Sequence, residues 1–524
     1  MCNVLNNNLT KKSVNTLASG KLYLLSAVLV SLAVVTSCSD SSTSVSDTDT
    51  DSAEVTASEE KQFVWNGLNT WYFWQGDVPD LADSKDDNAT EFSAFLDQFN
   101  TEEELFDHLK YDLEDDFSWF IPNYIEHEAA RTGTSKSFGF RFQLVQLTPG
   151  SDRVFGYVQL VVPDSPADEA GLKRGDIFNR INGQELNGNN YLNLLDNETY
   201  EIGFAALDGE NLESLDESTT VTAITFQENP VHKVEIIETE SAMVGYLMYN
   251  SFRFNFHGEL NDAFGEFKNA GVDELVLDLR YNGGGALVTS AILAGLITGL
   301  TEDDPFASLI YNDRQSTENQ TFPFFDRLLE YDETGAFLGD DTPMNQLSMS
   351  RLYVLVTDRT ASASETLING LEPYGIEVVI IGENTRGKDE GAITVYDAPE
   401  HGYAPSGTEE RADINPNHKR AMQPIVFKIF NSLGFPDGDY PDGFVPDIPA
   451  RELENVENLK PLGDPEEQFL AAALQHIENG FVPAKLLSEQ PAVNRKAVEV
   501  KLSPFEDEFY LLPSDVERFR TDQE

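Results

Sequence analysis

Cysteine is almost missing from this chain of 524 residues, which holds only Cys2 and Cys38. A disulfide framework and a zinc site of paired cysteines are both excluded, so the fold must be held by packing. The seven histidines, among them His108, His127 and His257, show no metal-ligand spacing, and no metal or cofactor is implied. Basic residues are also scarce. Lys and Arg total 35 against 91 Asp and Glu, a net charge of −56, which disfavours nucleic acid and anionic membrane surfaces as partners. The acidic residues are spread along the chain instead of gathered in a tail, as on a hydrated, soluble surface.

Long hydrophobic runs are absent beyond the N-terminal segment, where Leu22 to Val35 is shorter than a comfortable membrane span. Lys11, Lys12 and Lys21 precede this run and small residues end it, as in a secretory signal. Val35-Thr36-Ser37-Cys38 resembles a bacterial lipobox. The resemblance implies a signal over residues 1–37, lipid on Cys38, and an acidic Ser/Asp-rich tether over 38–58. The expected location is the bacterial cell envelope, lipid-anchored and facing the periplasm. The outer membrane is favoured because Ser39 supplies no acidic retention signal.

The hydrophobic fraction, 40%, is enough for packed cores, and the length allows about three domains. Residues 59–131 read as a helical domain, with FVWNGLNTWYFW, FSAFLDQF and ELFDHLKYDL spaced for helices whose aromatic stripes are core. Thr132 to Ser137 reads as a linker rich in Gly, Ser and Thr. Residues 138–227 read as short strands with one helix, and residues 230–480 as alternating apolar strands and helices, hence an α/β layered core. Thr301 to Gln346 reads as an acidic, aromatic insertion, and residues 481–524 as an extension of unknown role.

Two stretches of the core carry chemistry. The strand LVLDLR runs into Tyr281-Asn282-Gly283-Gly284-Gly285, where bare backbone N–H groups can approach an oxyanion. TDRTASASE then follows the strand LYVLV and opens a helix, so that either Ser362 or Ser364 sits near a helix N-terminus. After the next strand, EVVIIGE, comes Lys388. A lysine amine acts as a base when burial lowers its pKa from about 10.4.

The segment from Phe138, with Gly139-Phe140, Ser165-Pro166-Ala167, Gly175-Asp176 and Ile181-Asn182-Gly183, resembles a PDZ domain. The resemblance places a peptide C-terminus against Gly139, Phe140, Arg141 and Phe142, with the peptide added as a strand to the sheet edge. Together DLRYNGGGAL, TDRTASASE and GENTRGK resemble the carboxyl-terminal processing (tail-specific) serine peptidases, here in a lipoprotein form. That family implies a crotonase/ClpP-like α/β core carrying a PDZ domain. Its register assigns Ser362 as nucleophile and Lys388 as base, with an oxyanion hole from Ala363 and Gly284 or Gly285. The expected partners are protein or peptide substrates with free C-termini, plus the membrane through Cys38. Many members place a glutamine four residues after the lysine, where this chain has Ala392. A non-catalytic, lipid-anchored scaffold that captures peptide ends on the same fold is the competing reading.

Overall fold

A computed structural model describes residues 55–434, 438–482, 495–498 and 508–521. The expected signal, Cys38 and most of the expected tether lie outside these residues. The first helix, Val55–Trp71, begins inside the stretch read as tether.

The core is built on a six-stranded sheet ordered Val231–Glu238, Met243–Tyr249, Glu274–Asp278, Arg351–Val356, Glu377–Gly382, Ile448–Pro449. Its first pair is antiparallel and the other pairs are parallel. Parallel strands need crossovers, and the helices His257–Ala270, Leu287–Thr298 and Ala363–Leu371 supply them. Because side chains alternate along a strand, Leu247, Leu275, Leu277 and Val354 join one core cluster with these helices. Tyr246, Val276, Tyr353 and Leu355 point the other way, into a second cluster with Phe469 and Leu470 of the helix Gln468–Asn479. Leu287–Thr298 is apolar on every side and buried along nearly its whole length, as a helix between layers must be.

The opposing layer is a second six-stranded sheet: Gly285–Ala286, Phe509–Tyr510, Glu390–Ala392, Ile425–Asn431, Pro305–Tyr311, Gln320–Pro323. Two of its strands come from the region read as an insertion. Thr301 to Gln346 therefore completes the fold, its strand Pro305–Tyr311 pairing with Ile425–Asn431 far along the chain.

The helical domain folds as Val55–Trp71, Ala89–Leu96 and Glu102–Leu109, each short helix started by a polar cap: Asn88 accepts from Thr90 and Glu91, and Thr101 from Glu104. Trp119–Ile121 pairs with Ala421–Gln423 and so ties this domain to the core. The PDZ domain is a sheet of Phe140–Gln146, Val154–Val161, Ile177–Ile181, Thr199–Asp208 and Asn211–Thr222. Its expected linker is a strand, Thr134–Ser137, paired antiparallel with Ile224–Gln227. That partner lies at the far end of the domain, so the pairing closes the domain's entry and exit into a two-stranded stalk.

Candidate active site

The glycine turn and the serine loop are laced together from below. Thr360 Oγ1 donates to Leu279 O at 2.9 Å, the Ala361 N–H to Asn282 O at 3.3 Å, and Ser364 Oγ to Asn282 O at 3.0 Å. Asn282 is fully buried and fixes the turn internally, Nδ2 donating to Tyr249 O at 2.8 Å while Oδ1 accepts the Gly284 N–H at 3.0 Å. Gly284 has φ +117, and a Cβ there would meet Ser362 Oγ at 2.7 Å. A Cβ on Gly285, at φ +139, would meet the carbonyl oxygen of Phe252 at 2.3 Å. Both positions require glycine by conformation and by space.

Beneath the turn lies a buried ionic network. Arg280, fully buried, forks onto Glu467 at 2.7 and 3.0 Å and bonds Asp278 Oδ1 through Nε at 2.9 Å. Tyr246 donates to Asp278 Oδ2 at 2.7 Å. Burial pushes the Glu467 carboxyl up, but the Arg280 guanidinium outweighs it and holds Glu467 below the ordinary range. The network holds the end of the strand Glu274–Asp278, from which the glycine turn departs.

Ser362 is the N-cap of Ala363–Leu371 and adopts φ 65, ψ −120, a region that non-glycine residues avoid. A serine so placed stands on a strained strand-to-helix turn. Glu365 holds that turn. Its Oε2 accepts the Ser362 N–H at 2.8 Å and the Lys388 N–H at 2.9 Å, and its Oε1 accepts the Gly387 N–H at 2.6 Å. One carboxylate oxygen thus joins the backbones of the two residues expected to react. Burial raises the Glu365 pKa, and the hydrogen bonds from Thr385, Gly387, Lys388 and Ser362 pull against it. Sequence reasoning left Glu365, the last residue of TDRTASASE, without a role. The S-x-x-E spacing of a capping box was the available signal.

Lys388 is 3% exposed, and its Nζ lies 4.5 Å from the ring centre of Phe117, a residue of the helical domain. Ala392 is buried in the strand Glu390–Ala392, where it pairs with Ile425 and Tyr510. Asp389 and Glu390 bond Lys428, so these acids beside Lys388 are engaged with another lysine. Among the residues expected to bind peptide, Gly139 donates its N–H to Ser137 Oγ at 3.1 Å and has no room for a Cβ against Ser165. Phe140 is half-buried on the rim of the PDZ core and Phe142 is inside it. Arg141 reaches out of the PDZ domain, Nη1 donating to Tyr281 O at 2.7 Å, next to the glycine turn.

Ser362 is fully buried, and what covers it is the C-terminal extension. Its Oγ donates to the carbonyl oxygen of Glu508 at 3.3 Å. The Glu508 carboxylate accepts from His127 Nε2 at 2.6 Å and Arg131 Nε at 3.0 Å. Burial opposes its charge, yet His127 and Arg131 hold its pKa down to about 2. None of these three residues was legible as part of the site. Among the described residues, no group of three His, Cys, Asp or Glu is placed to hold a metal.

A helix-capping serine on a strained turn, facing a glycine turn within a layered α/β core beside a PDZ module, has the architecture of a serine peptidase. Family models match as Peptidase family S41 over residues 243–403, Peptidase S41 N-terminal domain over 59–119, and PDZ domain over 157–201. Residues 59–119 and 243–403 are thus similar to peptidase family S41, and residues 157–201 to a PDZ domain. It is 28% identical over 259 residues to carboxyl-terminal-processing peptidase 1, chloroplastic, of Arabidopsis thaliana, covering 48% of this chain and 47% of that protein. It is likewise 28% identical over 242 residues to the carboxyl-terminal-processing protease of a Picosynechococcus species, covering 44% of this chain and 50% of that one. The chain thus spans about half the length of the curated relatives it matches. A crystal structure from Bacteroides fragilis, assigned there to the S41 proteases, superposes with a TM-score of 0.61 at 26% identity, covering 79% of this chain and 97% of that one.

Proposed function

We propose that this protein is a serine endopeptidase that hydrolyses peptide bonds of proteins recognised through their C-termini, by way of an acyl-enzyme. The observation that carries the reading is the strained, helix-capping Ser362, whose backbone shares a carboxylate oxygen of Glu365 with that of Lys388. In the proposed reaction Lys388 takes the proton of Ser362 as its oxygen attacks the scissile carbonyl. The acyl-enzyme forms and the leaving amine receives that proton. Water then adds to the acyl carbon as Lys388 accepts one of its protons, and Lys388 passes that proton to Ser362 Oγ as the acyl–oxygen bond breaks and the acid product leaves. The backbone N–H groups of Ala363 and Gly285 are the proposed oxyanion donors; Gly284 would first have to give up Asn282 Oδ1. One such donor is worth about 2.7–4 kcal/mol.

The PDZ domain is proposed to hold the substrate's C-terminus at Gly139 to Phe142. Arg141 supports a link between that event and the glycine turn, since it bonds Tyr281 O. Lipid on Cys38 is proposed to keep the enzyme at the cell envelope, and loss of membrane association in Cys38→Ser would be its test.

The deciding experiment is digestion of an unstructured polypeptide by the mature protein, with Ser362→Ala and Lys388→Ala as comparisons. Both variants are expected to lose digestion while keeping their circular dichroism spectra. Undiminished digestion by Ser362→Ala would refute the assignment.

A further inference from the structure

The C-terminal extension lies on two surfaces that the proposed function reserves for substrate. At the active site, Phe509–Tyr510 forms a strand between Gly285–Ala286 and Glu390–Ala392, parallel to both, and so completes the second sheet. The Glu508 carbonyl oxygen accepts the Ser362 hydroxyl at 3.3 Å, and both lie against Gly284, where an added Cβ would come within 2.8 Å of that oxygen. A hydroxyl has one proton to donate, and here Glu508 takes it. A main-chain carbonyl of an inserted strand, set against Ser362 and the glycine turn, stands where the proposed reaction would put a scissile carbonyl.

The side chains around it are accommodated one by one. The Glu508 carboxylate fills a buried pocket made by His127 and Arg131, and the Arg131 guanidinium also stacks on Tyr510 at 3.7 Å. Phe509, Tyr510, Leu511 and Leu512 are all essentially buried, and the Leu511 N–H bonds Ala392 O at 3.0 Å.

A preceding piece of the same extension meets the PDZ domain. Lys496–Val498 pairs antiparallel with Phe140–Gln146, in the register Lys496 to Gln146, Ala497 to Val145 and Val498 to Leu144. Gln143 Nε2 reinforces the pairing by donating to Val498 O at 2.9 Å. This is the edge that starts at the Gly139–Phe140 turn, and strand addition there is the mode by which a PDZ domain takes a peptide.

We propose that the C-terminal extension is a built-in pseudosubstrate, with residues 496–498 on the PDZ edge and 508–512 in the substrate groove, and that an incoming polypeptide must displace it to reach Ser362. The inference rests on the peptidase reading above and adds two properties. The enzyme at rest is closed by its own tail, and opening is coupled to capture of a C-terminus, because the ligand and residues 496–498 compete for one edge. The groove has a definite chemistry as well: an extended strand with an acidic side chain in the His127–Arg131 pocket, followed by aromatic and aliphatic residues.

The test is hydrogen exchange on the full mature chain carrying Ser362→Ala, with reduced, carboxymethylated lactalbumin as the polypeptide. The Phe509, Tyr510 and Leu511 amides should exchange slowly at rest and faster with the polypeptide in excess, and C-terminal amidation of the polypeptide should blunt the effect. Amides that stay protected while the polypeptide is bound overturn the proposal. In the active chain, removal of residues 508–524 should speed labelling of Ser362 by a fluorophosphonate about tenfold or more, since only the tail-free fraction is competent. Equal labelling of a folded truncated chain also overturns it, and should the truncated chain fail to fold, the exchange measurement decides alone. Intact mass is expected to stay whole; scission after Glu508 would make the tail a substrate and overturn its role as a strap. If neither chain labels or digests, the peptidase reading fails while the exchange result still stands by itself.

Discussion

Replacing Glu365 by glutamine keeps the shape of the side chain and changes only what it can accept. The carboxylate takes N–H bonds from Ser362, Lys388 and Gly387 and a side-chain bond from Thr385. An amide has one accepting oxygen. With that oxygen towards Ser362 and Lys388, its NH2 meets the Gly387 N–H, donor against donor; turned over, it meets two. Each hydrogen bond to a charged group contributes about 1.5–3 kcal/mol, and an unsatisfied buried N–H costs about 1–3 kcal/mol. Against this, the neutral amide escapes the burial cost that already raises the Glu365 pKa. The expected net loss is about 3 kcal/mol of folding stability. The Ser362 backbone at φ 65, ψ −120 is itself held at a cost of about 1–3 kcal/mol, so the turn should relax once the carboxylate is gone. Urea unfolding of Glu365→Gln measures the first effect, and fluorophosphonate labelling of Ser362, made in a tail-deleted background, measures the second. The reasoning fails if the variant stays within about 0.5 kcal/mol of the parent, the range of an ordinary surface substitution, and labels at the parent rate.

Gly284→Ala places a methyl 2.7 Å from Ser362 Oγ at φ +117, so it should abolish digestion and lower the melting temperature; parental kcat/KM would contradict the close approach. Glu467→Gln removes the carboxylate on which Arg280 forks, leaving it the Asp278 pair, and should cost about 1.5–3 kcal/mol, the worth of a hydrogen bond to a charged group, as read by urea unfolding. Asp515 sets a pH dependence of tail docking, since burial, opposed by the Tyr331 hydroxyl and Arg518, pushes its carboxyl up to about 7. Tyr510 also feels its charge. Because the docked form holds that proton more tightly than a free aspartate does, docking is strongest below about pH 4 and weakens as pH rises to about 7. Protection of the Val516 and Phe519 amides should fall over that window in the parent and stay level in Asp515→Asn; a slope retained in the variant would assign the effect to another group. Arg141→Ala should weaken the response of digestion to a substrate's C-terminus more than it changes turnover, which a comparison of carboxylate and amide substrates would read.

The motifs that carry chemistry are local, and local spacing makes them readable. Ser362 sits between a strand and a helix that their own apolar periodicities reveal, and the glycines need their identity for conformational reasons visible at Gly283 to Gly285. Strand and helix segments of the core, such as LYVLV and the helix after Ser362, lie within a few residues of their expected positions. Segments whose structure depends on distant partners were less legible. Thr132 to Ser137 has the composition of a linker and becomes a strand because Ile224–Gln227 lies opposite it. Thr301 to Gln346 has the acidity of an insertion, yet Pro305–Tyr311 finds a place beside Ile425–Asn431.

Composition and motif order alone pointed to an acidic α/β protein with a PDZ module and a glycine turn, and marked Ser362 and Lys388 as the candidate pair, since each of these is written in short runs of residues. The tertiary structure decided what holds and what covers that pair. Glu365 matters because three N–H groups, two of them more than twenty residues away, converge on one carboxylate. Glu508 matters because sheet pairing brings a strand from the C-terminal extension between two strands of the core, and His127 and Arg131 from the helical domain onto its side chain. Such pairings are set by geometry across hundreds of residues, and no spacing in the chain announces them.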